Sequence, residues 1–119
     1  MPKLRIVHCF RAPLGGLFRH VIDLAGEQAK RGHDVGIICD STTGGAMEQA
    51  QLDEAAKVCT LGVGRVAMSR MPGLGDFQSA RTVSGHLKKI RPDIVHGHGA
   101  KGGLYARMFP VISHDGKPA

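Results

Sequence analysis

Two adjacent glycines, Gly15 and Gly16, lie between a short apolar run and an amphipathic run. The apolar run, residues 3–10, is typical of a buried strand, and the amphipathic run, residues 17–32, is typical of a helix. A helix N-terminus offers unpaired N–H groups and roughly +0.5 of an elementary charge, which favours an anion such as phosphate. Glycines leave room for a ligand at this backbone, and Arg19 adds positive charge one turn further on. The residues predict an anion site; a tight turn that binds nothing is the alternative.

A second glycine-rich stretch, HGHGAKGG, covers residues 96–103. His96 and His98 are two residues apart on a predicted strand, so they point to the same side. Two imidazoles on one face can begin a metal site, but no acidic or thiol side chain lies nearby in the sequence. We therefore expect no metal and no cofactor. We expect His98 to line the carboxyl edge of the sheet, and Lys101 to lie at the start of a helix beside the first glycine loop.

Three further patterns give weaker evidence for a binding or catalytic role. GVGRVA, residues 62–67, has the spacing of a dinucleotide-binding loop, but the MSRMPGLG that follows it cannot form the required helix, so we reject that site. Asp40 ends a predicted strand, where an acid either binds a ribose or caps the next segment. Asp23 and Glu27 share a helix face and are expected to be solvated. No spacing supports a Ser–His–Asp or Cys–His arrangement, so no catalytic residue is assigned.

Composition narrows the class of protein. The chain has 119 residues, of which 42% are hydrophobic and 22% are charged, which is typical of one globular domain. With no Trp and only five Phe or Tyr residues, base-stacking surfaces are not expected, and neither is a nucleic-acid partner. The net charge of +6 favours an anionic partner, although scattered basic residues also serve simply to keep a surface solvated.

The three cysteines, Cys9, Cys39 and Cys59, are odd in number and form no CxxC pair. Reduced, partly buried thiols in a cytosolic protein explain them best, and a catalytic thiol is a weaker alternative. The N-terminus is too short and too charged for a signal peptide. The expected location is the cytoplasm, with a peripheral position at the inner face of the membrane as a second option.

Strand-like and helix-like runs alternate along the chain, which predicts crossover units and a parallel sheet of the α/β class. The strands are predicted at 3–10, 33–40, 57–63 and 93–99, and the helices at 17–32, the second half of 41–56, 77–91 and 100–112. The predicted buried faces are Leu17, Val21, Leu24 and Ala25 on the first helix and Phe77, Ala80, Val83, Leu87 and Ile90 on the third.

GGLFRHVIDLAGEQAKRGHDVGIIC, followed later by RPDIVHGHGAKGGLYAR, resembles the N-terminal domain of glycosyltransferase family 4. The resemblance rests on three features in order: a glycine pair that opens a helix, GHDV before the second strand, and a PDIVHGH strand. Members are retaining enzymes of the GT-B architecture that use nucleotide sugars, commonly in glycan or polysaccharide biosynthesis. The resemblance implies a Rossmann-like, three-layer α/β/α domain with a mostly parallel sheet, one of two that face a cleft.

The resemblance also implies roles for individual residues. The glycine loop would approach the donor diphosphate and the acceptor. The residues that open the next helix match positions in many members, and the loop after the fourth strand would line the acceptor side. The implied substrate-binding residues are Gly15, Gly16, Arg19, His20, His98, Lys101 and Gly102. The partners would be a nucleotide-sugar donor and a sugar or lipid-linked acceptor.

Residues 1–119 are expected to be an incomplete N-terminal domain, because the family's T-P-H-G-like motif and its nucleotide-sugar domain are not in the chain. We expect these residues alone to transfer no sugar, and to self-associate through an exposed edge of the sheet. A free-standing, non-catalytic module that binds phosphate or a nucleotide is the alternative function.

Overall fold

The structure is a computed structural model that describes residues 3–13, 15–68, 74–99 and 103. Strands and helices alternate, as the hydrophobic pattern predicts. They are β1 (Arg5–Cys9), α1 (Gly15–Lys30), β2 (Asp34–Asp40), α2 (Ala46–Ala56), β3 (Gly62–Val66), α3 (Leu74–Ile90) and β4 (Ile94–Gly97). Apart from residue 103, the helix predicted at 100–112 lies outside the described residues.

The four strands form one parallel sheet in the order β3-β2-β1-β4. β1 is central, since it pairs with β2 through Val7↔Gly36 and with β4 through His8↔His96. Parallel pairing aligns the carboxyl ends of all four strands along one edge of the sheet. The predicted α/β class is confirmed.

Helices cover both faces of the sheet and produce two apolar cores. On one face α1 and α2 contribute Phe18, Val21 and Leu52 to a cluster that includes Phe10 and Ile37 from the strands. On the other face the buried residues of α3 pack on the alternate strand residues; this cluster is Val7, Cys9, Ile38, Val66, Met68, Ala80, Val83 and Leu87. The strands are therefore buried on both faces, which accounts for their nearly continuous apolar runs.

The third strand begins later than predicted. The sequence analysis placed it at 57–63, but β3 starts at Gly62, because the preceding residues close α2 instead of joining the sheet. The N–H groups of Val58 and Cys59 both donate to the carbonyl of Ala55, and Cys59 is buried against α2. Most of GVGRVA thus forms the strand itself, which agrees with the rejection of a dinucleotide-binding loop there.

The predicted buried faces of two helices are wrong at their first turns. Leu17 is 40% exposed and Phe77 is 57% exposed, whereas Phe18 is buried in place of Leu17. Both exposed residues lie in the first turn of a helix, and in α1 that turn packs on the sheet through Phe18. Val21 and Ala25 on α1, like the central residues of α3, are buried as predicted.

The amino-terminal edge of the sheet is held by Arg5. Its guanidinium donates to the carbonyl of Ile90 at 2.5 and 3.2 Å and to that of Arg91 at 3.3 Å, at the end of α3. Its backbone N–H donates to the Asp93 carboxylate at 2.8 Å. A cation at a helix C-terminus stabilises the unpaired carbonyls there.

Within the described part of the chain, no helix is both long and apolar enough to cross a membrane.

Two strand glycines provide a matched test of the packing. A Cβ at Gly36 would lie 2.9 Å from the Leu61 Cβ and 3.3 Å from the Gly62 carbonyl oxygen, whereas a Cβ at Gly64 would make only ordinary contacts, the nearest at 3.7 Å. Gly36→Ala should therefore lower the free energy of unfolding by about 1–3 kcal/mol, the usual cost of overpacking. Gly64→Ala should change it by less than about 0.5 kcal/mol. Urea denaturation of both variants measures the difference; equal stabilities would contradict this packing.

Candidate functional site at the carboxyl edge of the sheet

The strand order creates a crevice between β1 and β4. The connection after β1 leads through α1 to β2 on one side, while β4 lies on the other side of β1. In open parallel sheets, ligands bind outside the carboxyl ends of the strands where the order reverses in this way. The predicted site residues Gly15, Gly16 and His98 all follow these two strands.

The glycine pair forms the first two residues of α1, at this crevice. Gly15 has φ of +69°, a left-handed conformation that favours glycine, and both glycines are exposed. A Cβ at either position would have no atom within 4 Å. Packing therefore does not demand glycine at Gly16, and the first-turn N–H groups of a helix have no partner within the helix. The approach of an anion to this backbone stays a prediction.

The end of β4 lies against the first turn of α1. A Cβ at Gly99 would lie 3.7 Å from Leu17 Cδ2, and Gly99 has φ of +74°. The His98 N–H donates to the Cys9 carbonyl at 2.9 Å, which continues the β1–β4 pairing beyond the strand. The described start of the second glycine-rich loop thus lies beside the helix that the first loop opens. Lys101 and Gly102 lie outside the described residues.

A cluster of imidazoles occupies the α1 side of the crevice. His8 Nδ1 and His98 Nε2 are 2.9 Å apart, and the His96 and His98 rings stack with centroids 3.9 Å apart. The His20 ring from α1 meets His98 edge-on at 6.0 Å between centroids. Of the predicted residues, the structure therefore brings together His20 and His98.

His8 was missed by the sequence analysis, although it is the centre of the cluster. It is fully buried, and its Nε2 lies 2.7 Å from Gln28 Oε1 on α1. The available signal was the register of parallel neighbours: His8 pairs directly with His96. That pairing depends on β1 and β4 being adjacent, which no local pattern encodes.

Burial keeps the inner histidines neutral. Desolvation lowers the pKa of His8, although its hydrogen bond with Gln28 acts in the opposite direction. Desolvation, with further repulsion from His96 and His8, lowers the pKa of His98 to about 4. At neutral pH, the imidazoles of His8 and His98 are hydrogen-bonding or ligating groups rather than cations.

Arg19 lies apart from this cluster. Its side chain is exposed and lies 3.9 Å from the Asp23 carboxylate, one turn further along α1. Asp23 and Glu27 are both exposed, as expected, and Glu27 pairs with Arg31 at 3.3 Å. Arg19 also borders an apolar groove of about 630 Å³ between α1 and α2. The structure thus places Arg19 on the outer surface of α1, not beside His98.

Asp40, at the end of β2, is buried and fully engaged within the protein. Its Oδ2 accepts hydrogen bonds from the hydroxyls of Thr42 and Thr43, both at 2.7 Å, and its Oδ1 accepts one from the Met68 N–H at 2.8 Å. The Arg65 guanidinium donates to the carbonyls of Asp40 and Thr43. Of the two predicted roles, these contacts favour the cap over a ribose ligand.

The cysteines are free and buried, as expected for reduced thiols. Burial raises the pKa of Cys9 to about 12 and that of Cys39 and Cys59 to about 11. Because the thiolate is the reactive form, a catalytic thiol among these three is disfavoured.

An α/β/α domain with a ligand crevice at the switch point of its sheet is the Rossmann-like class. The sequence model of Glycosyltransferase Family 4 matches residues 14–115, and the chain belongs to that family. Comparison with curated protein sequences finds no match.

Among solved structures, the crystal structure of Acinetobacter baumannii MurG is similar, with a TM-score of 0.64 and 21% sequence identity. The match covers 92% of this chain and 34% of that one, so the chain spans about a third of the length of MurG. This likeness confirms the fold predicted from the family resemblance.

The Asp40 contacts predict how stability depends on pH. Burial acts to raise the pKa of Asp40, but the hydrogen bonds from Thr42, Thr43 and Met68 outweigh it and hold the pKa below its ordinary value of 3.8. The stabilisation is therefore complete above pH 3.8 and is lost as the pH falls through the native pKa. Asp40→Asn should lower the free energy of unfolding by about 1–3 kcal/mol at pH 7, because the amide N–H groups meet other donors.

The parent and Asp40→Asn should differ less in their free energy of unfolding below about pH 4, because the parent carboxylate is then protonated. Urea denaturation from pH 7 downwards measures it. Asp53→Asn, which removes an exposed carboxylate from α2, is the control and should change stability little. A gap that widens on acidification would contradict the assignment.

Proposed function

We propose that this chain is the N-terminal, acceptor-side domain of a retaining glycosyltransferase. The enzyme would transfer a sugar from a nucleotide-sugar donor to a sugar or lipid-linked acceptor. The observation that carries the proposal is the open backbone at Gly15 and Gly16, which lies at the sheet's switch point in a chain of this family. Residues 1–119 would be one part of the enzyme, with the nucleotide-sugar domain contributed by further chain.

The chemistry of transfer explains why an open helix N-terminus suits this role. The bond between the anomeric carbon and the diphosphate oxygen breaks, and negative charge grows on the departing diphosphate. A bond to the acceptor hydroxyl oxygen forms, and the hydroxyl proton passes to that diphosphate. Oriented N–H groups aimed at developing charge are already in place when the reaction starts, so they stabilise the transition state. The first turn of α1 contains no acidic residue that would repel an anion.

The remaining site residues would contact the acceptor. His98 and His20 border the crevice beside the glycine loop, and Lys101 and Gly102 follow His98 in the sequence. His98 is neutral, so it would form hydrogen bonds with sugar hydroxyls without carrying a charge. The cationic contribution would come from Lys101 and the helix N-terminus, with Arg19 at a greater distance.

A bulky side chain at Gly16 tests the proposal. Gly16→Val should leave the fold intact, because no atom lies within 4 Å of its Cβ position. It should lower kcat/KM by about 100-fold or more, since the side chain would displace the diphosphate or the acceptor. The assay follows release of nucleoside diphosphate from a panel of nucleotide sugars by the product of the natural reading frame that carries this chain.

Gly26→Val is the matched control, because Gly26 also lies on α1 with no atom within 4 Å of its Cβ position. It should retain the parent's activity. Normal turnover by a folded Gly16→Val variant would overturn the glycine-loop assignment. Binding of a nucleoside diphosphate without turnover of any nucleotide sugar would instead indicate a binding module.

A further inference from the structure

The imidazole cluster contains a group that sugar transfer does not require. His8, His96 and His98 each offer a ring nitrogen, and these three atoms lie within 4.8 Å of one another. The sequence analysis set a metal aside because no acidic or thiol side chain lies near His96 and His98 in the sequence; it did not consider His8. β1 supplies the third imidazole from a position 90 residues distant from His98.

Gln28 orients His8 as a ligand. Its amide oxygen can only accept, so His8 Nε2 carries the proton that is donated across 2.7 Å. The lone pair of the neutral ring then lies on His8 Nδ1, which faces His98 at 2.9 Å. Metal-binding histidines characteristically donate their other N–H to a carbonyl or carboxylate in this way, which fixes the tautomer and the ring orientation.

Two members of the cluster, His8 and His98, are buried, whereas the third is open to solvent. His96 is exposed, so an ion has a route from solvent. An all-imidazole set suits Zn²⁺, Cu²⁺ or Ni²⁺, whereas Mg²⁺ and Ca²⁺ require oxygen ligands.

We propose that His8, His96 and His98 bind one divalent transition-metal ion, with Zn²⁺ as the reference ion. Zn–N bonds of about 2.0–2.1 Å in a tetrahedral site separate two ligand atoms by about 3.3 Å. Zn²⁺ would therefore lie between His8 Nδ1 and His98 Nε2, with a small widening of their 2.9 Å separation, and the His98 proton would move to Nδ1 so that its ring stays neutral. The outer imidazole, His96, is stacked on His98, so its ring would have to rotate to point a nitrogen at the ion.

Three protein ligands leave a fourth position open to water or an anionic oxygen. That position would lie in the crevice between β1 and β4. The bound ion would therefore join the two central strands at the switch point and add positive charge near the first turn of α1. Binding of the ion does not depend on sugar transfer, so this proposal stands or fails independently of the proposed function.

The test is titration of the tag-free 119-residue chain with ZnCl₂ at pH 7.5 under a non-chelating reductant, followed by isothermal calorimetry. We expect one ion per chain. His96→Ala removes an exposed ligand with little risk to folding and should weaken binding by at least 10-fold. His86→Ala removes an exposed histidine from α3, outside the cluster, and should bind as the parent does.

Gln28→Leu tests the orienting role, because it removes the acceptor and leaves all three ligands in place. It should weaken Zn²⁺ binding by about 10–100-fold, while far-UV circular dichroism shows an unchanged fold. A substitution that merely disturbed packing would not reduce metal affinity in a variant that remains folded.

Co²⁺ identifies the ligands by their visible spectrum. Nitrogen ligation in a four-coordinate site gives d–d bands without the near-ultraviolet charge transfer that a thiolate produces. Absence of stoichiometric Zn²⁺ binding, undiminished binding by His96→Ala, or a thiolate charge-transfer band would each overturn the proposal.

Discussion

The pairing of β1 with strands on both of its sides underlies the rest of the structure. β1 hydrogen-bonds in parallel with β2 and with β4, and its five residues are almost completely buried. Parallel strands cannot be joined by a tight hairpin, so each connection must cross over through a helix. Because these crossovers leave β1 toward β2 while β4 lies opposite, a crevice forms beside the carboxyl end of β1.

The two halves of that edge are stabilised differently. Beyond β2 and β3, a charged network is satisfied internally: Asp40 binds the loop hydroxyls, and Arg65 ties β3 to the backbone that follows β2. Beyond β1 and β4, the glycines leave the backbone open and the histidines bind chiefly one another. The first half keeps its polar groups for structure, whereas the second leaves the glycine pair, His20 and His96 exposed.

Burial determines what the histidines can do. A surface histidine near neutral pH can carry charge and bind an anion directly. Here desolvation favours the uncharged form of His8 and His98, and each additional imidazole raises the cost of a positive charge on its neighbours. The chain as a whole is basic, with a net charge of +6, but the imidazoles of His8 and His98 at the centre of the cluster are uncharged.

The sequence alone determined the alternation of strands and helices, the glycine pair at the start of α1 and the family, because these depend on local periodicity and short motifs. It did not determine the start of β3, since turn residues after α2 include apolar ones such as Val58. It placed Leu17 on the buried face in place of Phe18, because both residues have helical spacing to Val21, four and three positions before it. The tertiary structure alone brought His8 and Gln28 to His98: strand order and register decide contacts across 90 residues, and both are set by packing of the whole sheet.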